Sequence, residues 1–134
     1  SALADGAFAK ALRVDLVRML APYNLSPEQY FILFRLMEFD GRPHRELTDP
    51  ALDDRANITR LVGGLERRGL VRKEADDEDR RVSRVFLTSD GIALFERLVP
   101  QIRASRAALF SEVAAADLTA MHRVLDALEH ALRP

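Results

Sequence analysis

Hydrophobic residues recur every three or four positions in the first third of the 134-residue chain, a spacing that predicts two amphipathic helices. The first helix is expected to end near Pro22 and Asn24. The second begins at S-P-E-Q, where Ser26 suits the cap, Pro27 the first turn and Gln29 a capping box. The predicted apolar faces comprise Phe8, Leu12, Leu16, Met19 and Leu20 in the first helix, and Tyr30, Leu33, Phe34 and Met37 in the second.

The middle of the chain has the pattern of a short helix followed by a longer one. We expect Pro43–Thr48 to be helical, with Pro50 ending the segment. Asp53 or Asp54 is placed to cap the next helix, and Gly69 to close it. The predicted buried stripe of this helix is Ile58, Leu61, Val62 and Leu65, and the opposite side holds Ala56, Thr59, Arg60, Gly63 and Arg67.

Two short runs after this helix predict a β-hairpin. Leu70–Glu74 and Val82–Leu87 are rich in apolar and β-branched residues, and the polar A-D-D-E-D-R-R between them suits a hairpin tip. Thr88 is expected to cap a long helix that runs toward Val113 and contains Pro100. A helix, a hairpin and a second helix start, in this order from residue 53 to 91, predict a winged helix-turn-helix. The expected fold is mainly α with a small β-hairpin wing, an α+β class.

Composition narrows the class of protein. Hydrophobic residues make up 48% and charged residues 31% of the chain, which indicates a folded domain rather than disorder. The absence of cysteine excludes disulfides and zinc–cysteine sites. No apolar run is long enough to cross a bilayer, and the first residues lack a signal-peptide pattern, so we expect a cytoplasmic protein without a membrane partner.

Charge is distributed unevenly along the chain. The net charge is −1, yet the segment 55–84 contains nine basic and six acidic residues. The positive field is therefore local, as a nucleic-acid-binding face requires.

The exposed side of the longer helix could read DNA bases. Arginine can bind guanine, asparagine can bind adenine, and alanine or threonine methyl groups can contact thymine. Arginines further along this helix suit phosphate, and those of the hairpin suit a minor groove. An ordinary solvated helix with a salt-bridged turn is the alternative interpretation. The candidate DNA-binding residues are Arg55, Ala56, Asn57, Thr59, Arg60, Arg67, Arg80, Arg81 and Arg84.

Four motifs in this region resemble the MarR family of regulators. They are D-R-A-N-I-T-R-L-V, L-E-R-R-G-L-V, D-x-x-D-R-R and V-F-L-T-x-x-G, all between residues 54 and 91. The resemblance implies a homodimeric winged-helix repressor or activator of transcription, whose affinity for double-stranded DNA is tuned by small anionic or aromatic ligands. It implies a recognition helix at 54–68 and a wing arginine at Arg80 or Arg81. The pair Gly63-Gly64 inside this helix either permits close approach to DNA or loosens the helix.

The last predicted helix starts at Asp117 or a neighbouring alanine and has large apolar residues spaced by three and four positions. Packing within one chain is the alternative, but a small winged-helix core cannot cover the stripes of three helices. A second copy would supply the missing surface and place two recognition helices on a palindromic site. We expect one unit over 1–134, with DNA binding by 26–91 and dimerisation by 1–22 and 92–134. The predicted dimer interface comprises Leu12, Leu16, Leu118, Met121, Leu125, Leu128 and Leu132.

A small-molecule site is a further hypothesis. Aromatic residues with one or two arginines suit an aromatic carboxylate, although such aromatics are more often core. The candidate ligand-binding residues are Arg13, Arg18, Tyr23, Tyr30, Phe34 and His44. The chain has no nucleophile elbow, P-loop or dinucleotide fingerprint, and its three histidines lack a metal motif, so we expect no enzyme, cofactor or metal. A winged-helix protein-interaction module without DNA binding is the alternative function, favoured by the acidic hairpin tip.

Overall fold

The computed structural model describes residues 6–47 and 55–134, so the caps expected at Asp53 and Asp54 and the helix end expected at Pro50 lie outside it. Residues up to Ile102 form one compact unit, and Arg103–Pro134 form a second. The elements are α1 (Ala7–Leu20), α2 (Pro27–Glu38), β1 (Arg42–Pro43), α3 (Arg55–Arg67), β2 (Val71–Ala75), β3 (Ser83–Leu87), α4 (Ser89–Leu109) and α5 (Ala115–Leu132), with single-turn 3-10 helices at Ala21–Tyr23 and His44–Glu46. The predicted class, mainly helical with a small sheet, is confirmed.

Helix α2 begins at the predicted capping box. The Gln29 amide donates to the Ser26 hydroxyl at 3.1 Å, and the Ser26 amide donates to the Gln29 side-chain oxygen at 3.2 Å. Both bonds satisfy amides that the first helical turn leaves without partners. Pro27 occupies the first turn and is buried.

The predicted apolar face of α2 is only partly correct. Tyr30 and Leu33 are buried, but Phe34 and Met37 are 41% and 39% exposed. Burial extends instead to Ile32 and Leu36, because α2 packs against both α3 and β3. A helix with two packed neighbours buries a wider arc than one apolar stripe predicts. The same misassignment affects Phe8 of α1, whose side chain is 41% exposed.

The sheet is antiparallel with strand order β1-β3-β2. Val71 pairs with Leu87 and Ala75 with Ser83, which confirms the predicted hairpin to within a residue. The helical prediction for Pro43 is wrong, because this residue lies in β1 opposite Arg84. Proline lacks an N–H, but an edge strand tolerates it.

The core of the first unit lies between α1, α2, α3, α4 and the sheet. All four residues of the predicted α3 stripe are buried, with no more than 5% of any of them exposed. They pack with Leu16 and Leu20 of α1 and with Phe95 and Leu98 of α4, whose start is capped by the Thr88 hydroxyl as predicted. The position of α3 is thus fixed by apolar packing.

Helix α5 belongs to the second unit and starts at Ala115, after Ala114 as the cap residue. The preceding helix α4 ends at Leu109, short of the predicted Val113. The apolar stripe of α5 is largely exposed in the single chain: Met121 by 41%, Leu125 by 53%, Leu128 by 55% and Leu132 by 83%. Leu118 is half-buried.

Candidate nucleic-acid interface

The face of α3 opposite the buried stripe is exposed. Ala56, Thr59 and Arg60 are exposed, and Asn57 is half-buried. The Arg60 guanidinium donates to the Asn57 side-chain oxygen at 2.5 Å, which links the two predicted base-reading side chains. The backbone of Arg55 starts α3, and its side chain lies outside the described atoms.

Helix α3 is continuous through Gly63 and Gly64 and ends at Arg67. Gly69, two residues later, turns the chain out of the helix with a φ of +70°, which suits glycine. A Cβ on Gly64 would lie 3.1 Å from the Gln29 side-chain nitrogen. The absence of a side chain at Gly64 therefore leaves room for the Gln29 side chain of α2, a role that the sequence did not indicate.

Two neighbouring arginines at the end of α3 have different surroundings. Arg67 is exposed and has no hydrogen bond or ion pair within residues 6–47 and 55–134. Arg68 donates to the backbone carbonyls of Tyr23 and Asn24, each at 2.7 Å. The expectation that Arg68 meets phosphate does not match this placement, since its guanidinium is already bound by protein.

The hairpin tip is a network of carboxylates rather than a loose acidic loop. One Asp76 oxygen accepts the amides of Glu78 and Asp79 at 3.2 and 3.0 Å. The Asp76 amide donates to the Val82 carbonyl, and the Val82 amide donates to the Asp79 carbonyl, each at 2.9 Å. These bonds define the wing, residues 71–87, as an ordered hairpin with a closed tip.

Asp79 holds the Arg81 side chain in place. The Arg81 guanidinium donates to both carboxylate oxygens at 3.0 and 3.1 Å, and its amide donates to one of them at 3.1 Å. The side-chain and backbone bonds from Arg81 lower the pKa of Asp79 below its ordinary 3.8. The Arg81 side chain remains 90% exposed, while its neighbour Arg80 is exposed without a polar partner in the described chain.

Arg84 lies near the tip end of β3 and connects the wing to the turn after α2. Its guanidinium donates to the Asp76 carboxylate and, at 2.9 Å, to the Gly41 carbonyl. The bond from Arg84, followed by the Asp79 amide, lowers the pKa of Asp76 below 3.8. Arg84 is half-buried, so the structure places this predicted DNA contact in an anchoring position. The Asp40 side chain completes the junction by accepting the Leu87 amide at 2.9 Å.

A cavity of about 380 Å³ lies between the 3-10 helix at His44–Glu46, α3 and the wing. The His44 Nε2 atom is buried without a hydrogen-bond partner in the described chain. Burial lowers the pKa of His44 below its ordinary 6.5, and the positive charge of Lys73 lowers it further. The negative charge of Glu66 opposes this shift. The lining residues are Pro43, His44, Arg45, Ile58, Thr59, Arg81, Val82 and Ser83.

A second cavity of about 360 Å³ lies at the start of α2, lined by Ser26, Glu28, Gln29, Asn57, Arg60 and Leu61. Of the candidate ligand residues, only His44 lines either of these two cavities. Tyr30 is a core residue stacked on Phe95, with ring centroids 5.8 Å apart, and Phe34 contacts both rings. Arg13 pairs with Glu28 at 2.7 Å. Arg18 is exposed, and Tyr23 lies at the Arg68 junction.

Leu16, a predicted dimer contact, is 7% exposed because it packs in the core of the first unit. Leu12 is half-buried. Residues 6–47 and 55–134 contain no group of metal-binding side chains close enough to hold an ion. None of the helices in those ranges is long and apolar enough to span a membrane.

A three-stranded sheet with a protruding wing beside α3 defines the winged-helix class. The family model of the MarR family matches residues 25–83. A MarR-family transcriptional regulator from Silicibacter pomeroyi has a solved structure with 30% identity and a TM-score of 0.78, over 93% of this chain and 84% of that one. The chain belongs to the MarR family, a family of transcriptional regulators with a DNA-binding winged helix.

Two further relatives are informative. The regulator PrsX of Escherichia coli is 30% identical over 66% of this chain, and the match spans only 55% of PrsX, a little over half of that relative's length. The PcaV transcriptional regulator of Streptomyces coelicolor, solved in complex with its natural ligand, is 26% identical with a TM-score of 0.73. That match covers 96% of this chain and 93% of PcaV.

Proposed function

We propose that this chain is a homodimeric, sequence-specific regulator of transcription that binds a palindromic operator in the cytoplasm. The observation that carries the proposal is the pairing of two exposed basic surfaces. Helix α3 buries its apolar stripe and exposes Thr59 and Arg60, while the wing beside it presents Arg80 and Arg81. Membership in a family of transcriptional regulators supports it.

Base reading is assigned to the first turns of α3, where Arg55, Asn57, Thr59 and Arg60 lie and Ala56 offers a methyl group. Phosphate contact is assigned to Arg67. Insertion into the minor groove is assigned to Arg80 or Arg81, because the negative potential of the groove attracts exposed arginine side chains.

The proposal is tested with the chromosomal DNA upstream of the protein's own gene. Affinities for this duplex and a scrambled duplex are measured by fluorescence anisotropy. Wild type should prefer the upstream duplex, and Arg60→Ala should lose roughly 1–3 kcal/mol of this discrimination, the contribution of one bidentate base contact. Arg103→Ala, an equal charge change on an exposed residue of α4, should retain it. Equal affinity of wild type for both duplexes would favour the protein-interaction module instead.

The exposed stripe of α5 supports the homodimer, since four large apolar residues on one helix are rarely left in solvent. A two-fold dimer would place two recognition helices about 34–36 Å apart, one turn of DNA. Sedimentation velocity at micromolar concentration should show a dimer. Leu128→Glu should shift the protein toward monomer, whereas Arg123→Glu, on the other side of α5, should not. A wild-type monomer would contradict this part of the proposal.

The small-ligand response is assigned to the cavity at His44, whose volume suits a ligand of one aromatic ring. Two arginines and the unpartnered His44 Nε2 face an apolar floor, a combination suited to an aromatic carboxylate. PcaV, solved in complex with its natural ligand, supports ligand binding in this fold. Calorimetry with benzoate should detect binding that His44→Ala weakens and His122→Ala, on α5, does not. Binding unchanged by His44→Ala would place the ligand elsewhere.

A further inference from the structure

We propose that Arg68 is a positioning residue that fixes the end of α3 to the turn between α1 and α2, and so sets the orientation in which α3 meets DNA. The inference rests on the DNA-binding function proposed above. Arg68 has the charge and location of a phosphate contact, but two of its guanidinium nitrogens donate to backbone carbonyls of the protein.

The turn that receives Arg68 has carbonyls that need donors. The last carbonyls of a helix lack partners within it, and the 3-10 helix at Ala21–Tyr23 ends here. Asn24 has a φ of 52°, which turns the chain out of the helix toward Ser26. Two Arg68 guanidinium nitrogens donate to the carbonyls of Tyr23 and Asn24 at 2.7 Å each, short distances typical of charge-assisted hydrogen bonds.

The same turn is held from its other side by α4. Gln101 donates to the Tyr23 hydroxyl at 2.6 Å, and the Arg97 guanidinium lies 5.6 Å from the centre of the Tyr23 ring. Tyr23 itself is half-buried against the core. Arg68 therefore connects the end of α3 to a turn that α4 already holds in place.

The two Arg68 bonds to the Tyr23 and Asn24 carbonyls form what we call the Arg68 clamp. Because the clamp lies several residues from the proposed base-reading residues, a small change of helix orientation there would displace their side chains. Arg60 precedes Arg68 by eight residues, or about 12 Å along a helix. A tilt of roughly 5° about the clamped end would move Arg60 by about 1 Å, enough to misplace a bidentate base contact. Loss of the clamp should therefore weaken specific binding more than non-specific binding.

Arg67 is the matched control, since it carries the same charge one position earlier and has no polar partner in the described chain. We would measure affinities of wild type, Arg68→Ala, Arg68→Lys and Arg67→Ala for the upstream and scrambled duplexes across a series of salt concentrations. Arg68→Ala should weaken upstream binding about tenfold, the size of one lost base contact, with little change for scrambled DNA. Its salt dependence should stay that of wild type.

Arg67→Ala should instead weaken binding to both duplexes. It should also reduce the slope of log affinity against log salt concentration by about 0.9, as expected for one lost phosphate contact. Arg68→Lys keeps the charge but not the two-pronged donor, so it should remain well below wild type. A reduced slope in Arg68→Ala, or full recovery in Arg68→Lys, would overturn the proposal because charge alone would then explain the effect.

Amide hydrogen exchange of the free protein tests the clamp without DNA. The Leu25 amide donates to the Leu20 carbonyl and the Leu70 amide to the Leu65 carbonyl, on the two sides of the Arg68 contact. Both amides should exchange faster in Arg68→Ala than in Arg67→Ala. Equal rates would overturn the clamp. If wild type bound neither duplex, the proposed DNA-binding function would be wrong. The exchange rates would still show whether Arg68 holds the end of α3 to the turn between α1 and α2.

Discussion

Helix α3 and the wing lie side by side but are held by different forces. The α3 stripe, including Val62 and Leu65 at 0% exposure, is fixed by apolar packing. The wing tip between Asp76 and Arg81 has no fully buried side chain, and its shape rests on carboxylates that accept amide and guanidinium donors. The surface proposed to read bases thus depends chiefly on the core, with Arg68 at the end of α3, and the surface proposed to enter the minor groove depends on charge.

This contrast predicts different sensitivities. Apolar packing depends little on pH or salt, whereas a network of exposed ion pairs weakens with salt and with protonation of its carboxylates. Substitutions under α3 should therefore unfold the domain, and substitutions of the charged residues near the wing tip should loosen only the wing.

The largest effect is expected from Leu65→Ala, which removes a fully buried side chain from beneath α3. Truncation of such a leucine costs about 2–5 kcal/mol through lost burial and the cavity left behind. Urea denaturation would measure the loss in the free energy of unfolding. Arg67→Ala, which removes an exposed side chain two residues further along the chain, should change the free energy of unfolding by no more than about 0.5 kcal/mol. Equal losses in the two variants would contradict an apolar anchor for α3.

Local rules were enough to predict most of the fold. The capping box at Ser26, the α3 stripe and the hairpin each follow from residues a few positions apart, and the structure confirms them. The Asp79–Arg81 pair spans two residues and was predictable for the same reason.

Contacts between distant residues were not predictable. Arg68 reaches carbonyls 44 and 45 positions earlier, and Arg84 reaches Gly41 43 positions earlier. Sequence marks these arginines as basic surface residues, but a backbone carbonyl acceptor has no signature in the sequence. Similarly, Phe34 could not be recognised as exposed, because the arc that α2 buries depends on which elements pack against it.

A smaller effect, confined to the wing, is expected from Arg84→Ala. The change removes the bonds to the Asp76 carboxylate and the Gly41 carbonyl, so the tip loses one tie to the turn after α2, while the bond from the Leu87 amide to Asp40 remains. The amides of Asp76 and Val82, which close the tip, should then exchange faster with solvent while amides in the middle of α3 keep their rates. Arg80→Ala serves as the control and should leave the tip unchanged. Faster exchange throughout α3 would show that the two regions are not held separately.

The smallest effect is a titration of the wing at low pH. Bonds from Arg84 and Arg81 lower the pKa values of Asp76 and Asp79 below 3.8. Because these pKa values are lower in the folded chain than in the unfolded one, the bonds stabilise the wing fully at neutral pH. That contribution is lost only as the pH falls below 3.8 through the lowered values. The wing should therefore keep its shape down to about pH 4.

NMR shifts of the amides bound to these carboxylates report the titration directly. Glu78 and Asp79 donate to Asp76, and Arg81 donates to Asp79. Their shifts should move together with a midpoint below 3.8, while amides in the middle of α3 stay constant. Asp76→Asn should abolish the movement at Glu78 and preserve it at Arg81. A midpoint at or above 3.8, or a simultaneous change in α3, would remove the distinction between a wing held by charge and a helix held by packing.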